Sequence, residues 1–169
     1  MKLVRDNICV SDFSEKDIEK KIKIINDSRN NTFLHYDLPI NYENTLKWFK
    51  QKGKNRLDCS IIYDDEVCGF IGLLNIDDKN KKAEFYICVD CNFGGKGIGT
   101  IATRMLLRYA FENLDLNKIY LFTEEDNIPA QKLFGKIGFK NEGLLREDLI
   151  HNGKKLNRFA YGIIRSEYV

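Results

Sequence analysis

Three strand-like runs lie almost end to end in the middle of this chain, and their connections are too short for anything but antiparallel pairing. Leu57 to Tyr63 and Glu66 to Ile76 are separated by Asp64-Asp65, and Lys82 to Asp90 follows after the turn Asp77 to Asn80. Such short links join neighbouring antiparallel strands, so this stretch reads as a meander. The third run feeds a glycine turn, Gly94-Gly95-Lys96-Gly97-Ile98-Gly99, and then a helix from Ile98 to Asn113 with apolar Ile101, Met105, Leu106, Tyr109 and Ala110. The next strand, Lys118 to Thr123, is reached only across that helix. A crossover of this kind demands a parallel pair, so the sheet must be mixed.

The flanks fit the same plan. Lys2 to Ser11 reads as one strand, and Ser14 to Asn26 as a helix with Ser14 at its cap and Ile18, Ile22 and Ile25 on one face. A polar-aromatic loop, Thr32 to Ile40, leads to a second helix that starts at Asn41 and stops near Lys52-Gly53, with Leu46, Trp48 and Phe49 as its apolar positions. Pro129 opens a helix that runs to Lys136, with Gly138 as its C-cap. The strands Lys140 to Ile150 and Lys154 to Ile164 meet at His151-Asn152-Gly153, a hairpin signal. The expected order is β-α-α-β-β-β-α-β-α-β-β over residues 1–169 as one domain. This is an α/β (α+β) chain with a mostly antiparallel sheet of about seven strands and about four helices.

The glycine turn exposes backbone N–H groups at a helix N-terminus, a setting that favours an anion. A mere tight connection is the bland alternative. The nucleotide P-loop pattern fails twice, because Asp90 stands where its first glycine belongs and Gly97 where its Ser/Thr belongs. The dinucleotide pattern fits better: Gly97-x-Gly99-x-x-Ala102 follows a strand, and Glu124 lies at about the spacing of a ribose-binding acid. The meander before it argues against that reading, since a doubly wound sheet needs more β-α units.

A third pattern covers far more of the chain. The turn resembles the acetyl-CoA loop of the GCN5-related N-acetyltransferases (GNAT), Q/R-x-x-G-x-G/A, with Gly94 in place of the first Gln or Arg. "NIPAQKLFGKIGF" is similar to the family's second signature at Asn127, Ala130, Leu133, Lys136, Gly138 and Phe139. The tail from Arg146 to Tyr168 resembles the RimJ/RimL branch, which also includes spermidine acetyltransferases. The resemblance implies a GNAT fold with its sheet splayed at the cofactor site, and acetyl-CoA as co-substrate. Ile87, Cys88 and Val89 would pair with the pantetheine arm, the Val89 N–H serving as oxyanion donor. Gly94, Gly95, Lys96, Gly97, Ile98, Gly99 and Thr100 would take the pyrophosphate. Asn127, Ala130 and Phe134 would complete the cofactor site, with Asn127 also able to cap its helix. Lys96 is equally readable as solvated surface.

Glu84 is the candidate general base, against a cross-strand salt bridge as its alternative. The family's usual general acid is a Tyr, and Phe134 stands in its place. A phenyl ring donates no proton, so the thiolate leaves unassisted or takes the amine's proton; Tyr120, Tyr86 and Tyr161 are the candidate substitutes, with core packing the favoured role for each. The amine acceptor is expected against His35, Tyr36, Glu84 and Tyr86, with His151 on the last hairpin nearby. It is a small-molecule or peptide amine: a protein N-terminus by the RimJ/RimL resemblance, a nucleotide-linked amino sugar or a polyamine otherwise. A polyamine wants a dense acidic cluster, and Glu124-Glu125-Asp126 is expected on the cofactor side. A non-catalytic acyl-CoA-binding module is the reading from another class. A homodimer through exposed strands stays open.

A net charge of +2 gives no steering to nucleic acid or membrane. Five cysteines, an odd number, and no apolar leader after Met1 suggest reduced thiols and a cytoplasmic location. Cys88 and Cys91 form a lone C-x-x-C with no second Cys or His pair at zinc spacing, so no metal is expected.

Overall fold

The computed structural model describes residues 1–168. Its centre is the expected meander: β3 (Leu57–Tyr63), β4 (Glu66–Asp77) and β5 (Lys82–Val89) pair antiparallel in sequence order. Asp64 and Asp65 both take left-handed backbone, with φ of 48° and 63°, which gives the two-residue turn the twist of its strands. Helix α3 (Ile98–Glu112) then crosses over to β6 (Lys118–Glu124), which runs parallel to β5. After α4 (Ile128–Ile137), the hairpin of β7 (Lys140–His151) and β8 (Lys154–Ile164) adds to the sheet with β8 innermost. Asn152 and Gly153 turn that hairpin with φ of 49° and 74°.

The sheet has eight strands in the order β1-β2-β3-β4-β5-β6-β8-β7, one more than the sequence suggests. The expected first strand is a hairpin, β1 (Lys2–Arg5) and β2 (Ile8–Asp12), because Asp6 takes a φ of 53° and reverses the chain. Asp6-Asn7 is itself a turn signal, hidden inside a short run. The first helix also begins later than expected: residues Glu15–Asp17 form a 3-10 turn before α1 (Ile18–Asn26). Asp17 accepts from the Ser14 backbone N–H at 2.9 Å and from the Ser60 hydroxyl at 2.9 Å, tying this turn to β3. Helix α2 (Tyr42–Gln51) is capped by Asn41, whose side chain accepts from the Asn44 N–H at 2.9 Å.

Two layers of core cover the two faces of the sheet. The larger packs α3 and α4 on one face through residues such as Leu106, Leu107, Ile119 and Ile137. The smaller joins α1 and α2 to the other face around Phe13, Ile18, Ile24 and Phe70. No helix among the described residues is long and apolar enough to cross a membrane.

The sheet is not continuous. Parallel pairing of β5 with β6 stops at Glu84↔Tyr120. Beyond that point β5 still follows β4 as far as Gly69↔Val89, and β6 still follows β8 as far as Glu124↔Arg158. The two central strands therefore part, and a wedge opens between Phe85–Val89 and Leu121–Glu124.

A candidate active site at the split in the sheet

The wedge is edged by free backbone. The Asp90 N–H donates to the Cys68 carbonyl at 2.8 Å, so Asp90 turns its polar groups toward β4. Peptide direction alternates along an antiparallel strand, so Val89 and Ile87 turn theirs away from β4, into the wedge, while Phe85 stands at its apex beside the last bridge to β6. A row of unpaired N–H and C=O groups of this kind can accept an extended amide-bearing arm as an added strand.

The mouth of the wedge is the glycine turn. Gly95 and Gly97 need their glycines for conformation, with φ of 76° and 72°; a Cβ at either would meet nothing within 4 Å. Gly97 caps α3, and the backbone N–H groups from Gly95 through Thr100 have no partner among the described residues. Gly94, Gly95, Lys96 and Gly97 are exposed, so these donors face solvent at the positive end of a helix dipole. Ile98 is buried beneath them.

The opposite wall comes from β6 and α4. Thr123 is buried, and its hydroxyl has no hydrogen-bond partner among the described residues. It stands three residues past Tyr120, as Ile87 stands three past Glu84, so the orphaned hydroxyl lies level with Ile87 across the opening. Asn127 caps α4 by accepting from the Ala130 N–H at 3.2 Å. Phe134 is 5% exposed and packs edge-on against Phe85 and Phe139, with Tyr161 beside it.

On the α1/α2 face of the wedge lies a cavity of about 660 Å³. Tyr36, Tyr86, Ile87 and Cys88 line it with His35, Trp48 and Lys21. Tyr86 is held by a buried network. Its hydroxyl donates to Asp58 Oδ1 at 2.7 Å, and the same carboxylate accepts from Arg56 Nε at 2.8 Å and Lys52 Nζ at 3.2 Å. Gly72 makes room for the ring, since a Cβ there would lie 2.6 Å from Tyr86 Cε1. The Asp58 carboxyl is held below its usual range by Arg56 and Tyr86 against the opposing cost of burial, and burial pushes the Tyr86 phenol well above its own.

Lys21 is 6% exposed, and no acceptor or carboxylate among the described residues meets its ammonium. Its Nζ lies 4.3 Å from the Trp48 ring centre and 5.3 Å from those of Phe13 and Phe70. Burial lowers its pKa to about 8. The Cys88 thiol is pushed up to about 11 by burial, which keeps it protonated and unreactive at neutral pH.

At the outer rim, His35 Nε2 sits 2.8 Å from Glu124 Oε1, in ion-pair range but out of line for a hydrogen bond. The His151 ring lies 4.9 Å from that of His35, so the loop, β6 and the last hairpin converge here. Burial lowers the His35 pKa and raises that of Glu124. Glu124 thus stands where the β6 wall of the wedge meets the cavity's rim. Glu84 stands directly across from Leu74, which lines the cavity, but is not itself in the lining; its carboxylate accepts from Asn75 Nδ2 at 2.9 Å.

The structure thus gathers Ile87, Cys88, Val89 and the glycine turn along one edge, and His35, Tyr36 and Tyr86 in one cavity, with Glu84 at its border. Sequence reading misses Lys21, Arg56, Asp58 and Thr123. Lys21 left one trace: it interrupts the apolar stripe of α1, three residues after Ile18 and four before Ile25.

Known proteins resemble this chain along most of its length. The profile of the Acetyltransferase (GNAT) domain matches residues 7–140. "Putative ribosomal N-acetyltransferase YdaF" of Bacillus subtilis (strain 168) is 32% identical over 98% of this chain and 95% of its own length. The spermidine N(1)-acetyltransferase of Escherichia coli (strain K12) is 32% identical over 63% of this chain and 57% of its own. A crystal structure described as "Probable acetyltransferase" superposes with a TM-score of 0.87 at 29% identity, covering 99% of both chains.

Proposed function

We infer the acceptor from a fixed premise: this chain belongs to the acetyltransferase (GNAT) family and is an acetyl-CoA-dependent N-acetyltransferase with a GNAT fold. We propose that it acetylates the N-terminal amine of a polypeptide, in the manner of the RimJ/RimL branch, by direct attack with both substrates bound. One observation carries this reading. The acceptor cavity presents one unpaired cation, Lys21, since Arg56 is paired with Asp58; Asp37 is the one carboxylate in the lining among the described residues, with Glu84 and Glu124 outside it. A polyamine brings several positive charges and would meet like charge there. A peptide end brings one amine on a largely neutral, part-apolar body, which suits walls of Trp48, Phe70 and Tyr36. A relative named for spermidine aligns over only 63% of this chain, whereas the relative named as a putative ribosomal N-acetyltransferase aligns over 98%.

Acetyl-CoA supplies a thioester whose acyl group is activated toward amines. The residues fit it: the N–H groups from Gly95 through Thr100 suit the pyrophosphate, and the inward peptides of Ile87 and Val89 suit the arm. The Thr123 hydroxyl suits an amide of the same arm. In this proposal the Val89 N–H is the oxyanion donor. Asn127 and Ala130 form the start of α4 beside the arm, and Phe134 backs it through the aromatic cluster with no proton to give. Glu84, at the cavity's border, takes the proton from the incoming amine. A second reading gives that proton to His35, because burial keeps its imidazole neutral and it lines the cavity. A cytoplasmic location goes with both, where the free cysteines stay reduced.

The test is competition. The enzyme is given acetyl-CoA with equal amounts of spermidine and short peptides with free N-termini, and products are read by mass. Acetyl on the peptide amine with spermidine untouched is expected. Acetyl on spermidine alone would reject the acceptor assignment.

A further inference from the structure

We propose that Lys21 forms an anion subsite that selects acceptors bearing a carboxylate near their amine. The inference rests on the acetyltransferase reading and narrows its substrate class.

An ammonium taken out of water needs acceptors. Lys21 makes no hydrogen bond or ion pair among the described residues; the residue is only 6% exposed, and what surface its Nζ keeps belongs to a side chain that lines the cavity. The neighbouring cations do not share this condition. Arg56 and Lys52 are both spent on Asp58, and Tyr86 donates to the same carboxylate. Asp58 is thus fully engaged and lies beyond ion-pair range of Lys21. The rings of Trp48, Phe13 and Phe70 offset part of the charge from one side through their faces. A ring takes no directed hydrogen bond of full strength, so the donors turned to the cavity stay open. Lys21 lines that cavity together with Cys88, whose neighbours on β5 edge the wedge. A carboxylate lodged there would meet a positive charge backed by three aromatic rings, while its amine reached toward β5. Burial lowers the Lys21 pKa to about 8, while the Asp58 carboxylate opposes that shift from beyond contact.

Two sources carry this chemistry, an acidic side chain at the start of a polypeptide and the α-carboxylate of a free amino acid. The assay pairs each with its uncharged isostere: Asp-Ala-Ala amide against Asn-Ala-Ala amide, and glycine against glycinamide. Wild type is expected to favour the carboxylate member of at least one pair by about tenfold in kcat/KM, mostly through KM. Which pair responds identifies the source. Lys21→Met keeps the apolar stem and the ring contacts and removes the charge. It is expected to fold with an undiminished thermal midpoint, to keep its response to acetyl-CoA, and to treat the members of each pair alike. A preference that survives in Lys21→Met, or none in wild type, overturns the proposal. A binding readout separates this from failure of the acceptor reading. With CoA present, N-acetylglycine or N-acetyl-aspartyl-alanine amide should raise the midpoint of wild type but not of Lys21→Met. If no peptide or amino acid is acetylated and that shift still depends on Lys21, only the acceptor reading fails. If neither product raises the wild-type midpoint, the anion subsite fails.

Discussion

The two sides of the split sheet are built from different materials. The cofactor side is mostly backbone: inward peptides of Ile87 and Val89, free N–H groups from Gly95 through Thr100, and one stray hydroxyl, Thr123. The acceptor side is mostly side chains: Lys21 from α1, Trp48 from α2, Asp58 from β3, Tyr86 from β5 and His35 from a loop. A backbone site tolerates many sequences as long as glycines fall where φ must be positive. A side-chain site can be rewritten one residue at a time, so it is where substrate choice resides. The contrast predicts that substitutions on one side leave the other side's ligand untouched.

The largest loss of stability should come at Asp58, whose side chain is 1% exposed and serves three donors. Asp58→Asn takes the charged acceptor from half-buried Arg56 and Lys52 and from the Tyr86 hydroxyl, and is expected to cost about 2 kcal/mol of stability. The check is denaturant unfolding, together with a weaker KM for the acceptor and unchanged affinity for acetyl-CoA.

Gly97→Glu acts on the other side. It forces a side chain onto a φ of 72° and sets a carboxylate against the pyrophosphate. Acetyl-CoA affinity should fall by about a hundredfold or more, as like charges at a binding site cost several kcal/mol. Calorimetric titration of the folded variant would read it.

Glu84→Gln should lower kcat by about a hundredfold at neutral pH with acetyl-CoA binding unchanged. The loss should shrink as pH rises and more amine arrives unprotonated. If Glu84→Gln matches wild type across pH while His35→Gln does not, the proton goes to His35. Thr123→Val should weaken acetyl-CoA by about fivefold, the worth of one neutral hydrogen bond. Without cofactor it should not destabilise the protein, because its hydroxyl has no partner to lose.

The smallest effect is a pH dependence at the rim. Burial, then His151 and Arg158, lower the His35 pKa in the folded protein. Its contribution to stability is therefore complete above the unfolded value of about 6.5 and is lost as pH falls through the folded pKa. His35→Asn should flatten that limb of the thermal midpoint against pH. Glu124, raised by burial, works in the opposite sense near its own range, its contribution fading as pH rises past about 4.5.

The same contrast explains what could be read from sequence. The meander, the crossover and the glycine turn depend on local spacing, and they stand as expected. The wedge follows from them only in part: it is a register that stops at Glu84↔Tyr120, and no residue type announces it. The first hairpin was hidden because Asp6-Asn7 splits an already short run. The acceptor cavity assembles residues from six separate segments, so its members look ordinary one at a time. Asp58 reads as a polar position in a strand and Arg56 as loop surface. Lys21 alone broke a rule, a charge on an apolar stripe, and such breaks tend to mark functional positions.

The most direct measurement is the thermal midpoint of wild type, Gly97→Glu and Lys21→Met across a titration of acetyl-CoA. Independent sides predict equal upward shifts for wild type and Lys21→Met, and for Gly97→Glu a response displaced to about a hundredfold or more higher acetyl-CoA. A Lys21→Met protein that no longer responds to acetyl-CoA, or a Gly97→Glu protein that responds at wild-type concentrations, would contradict the division between a backbone cofactor site and a side-chain acceptor site.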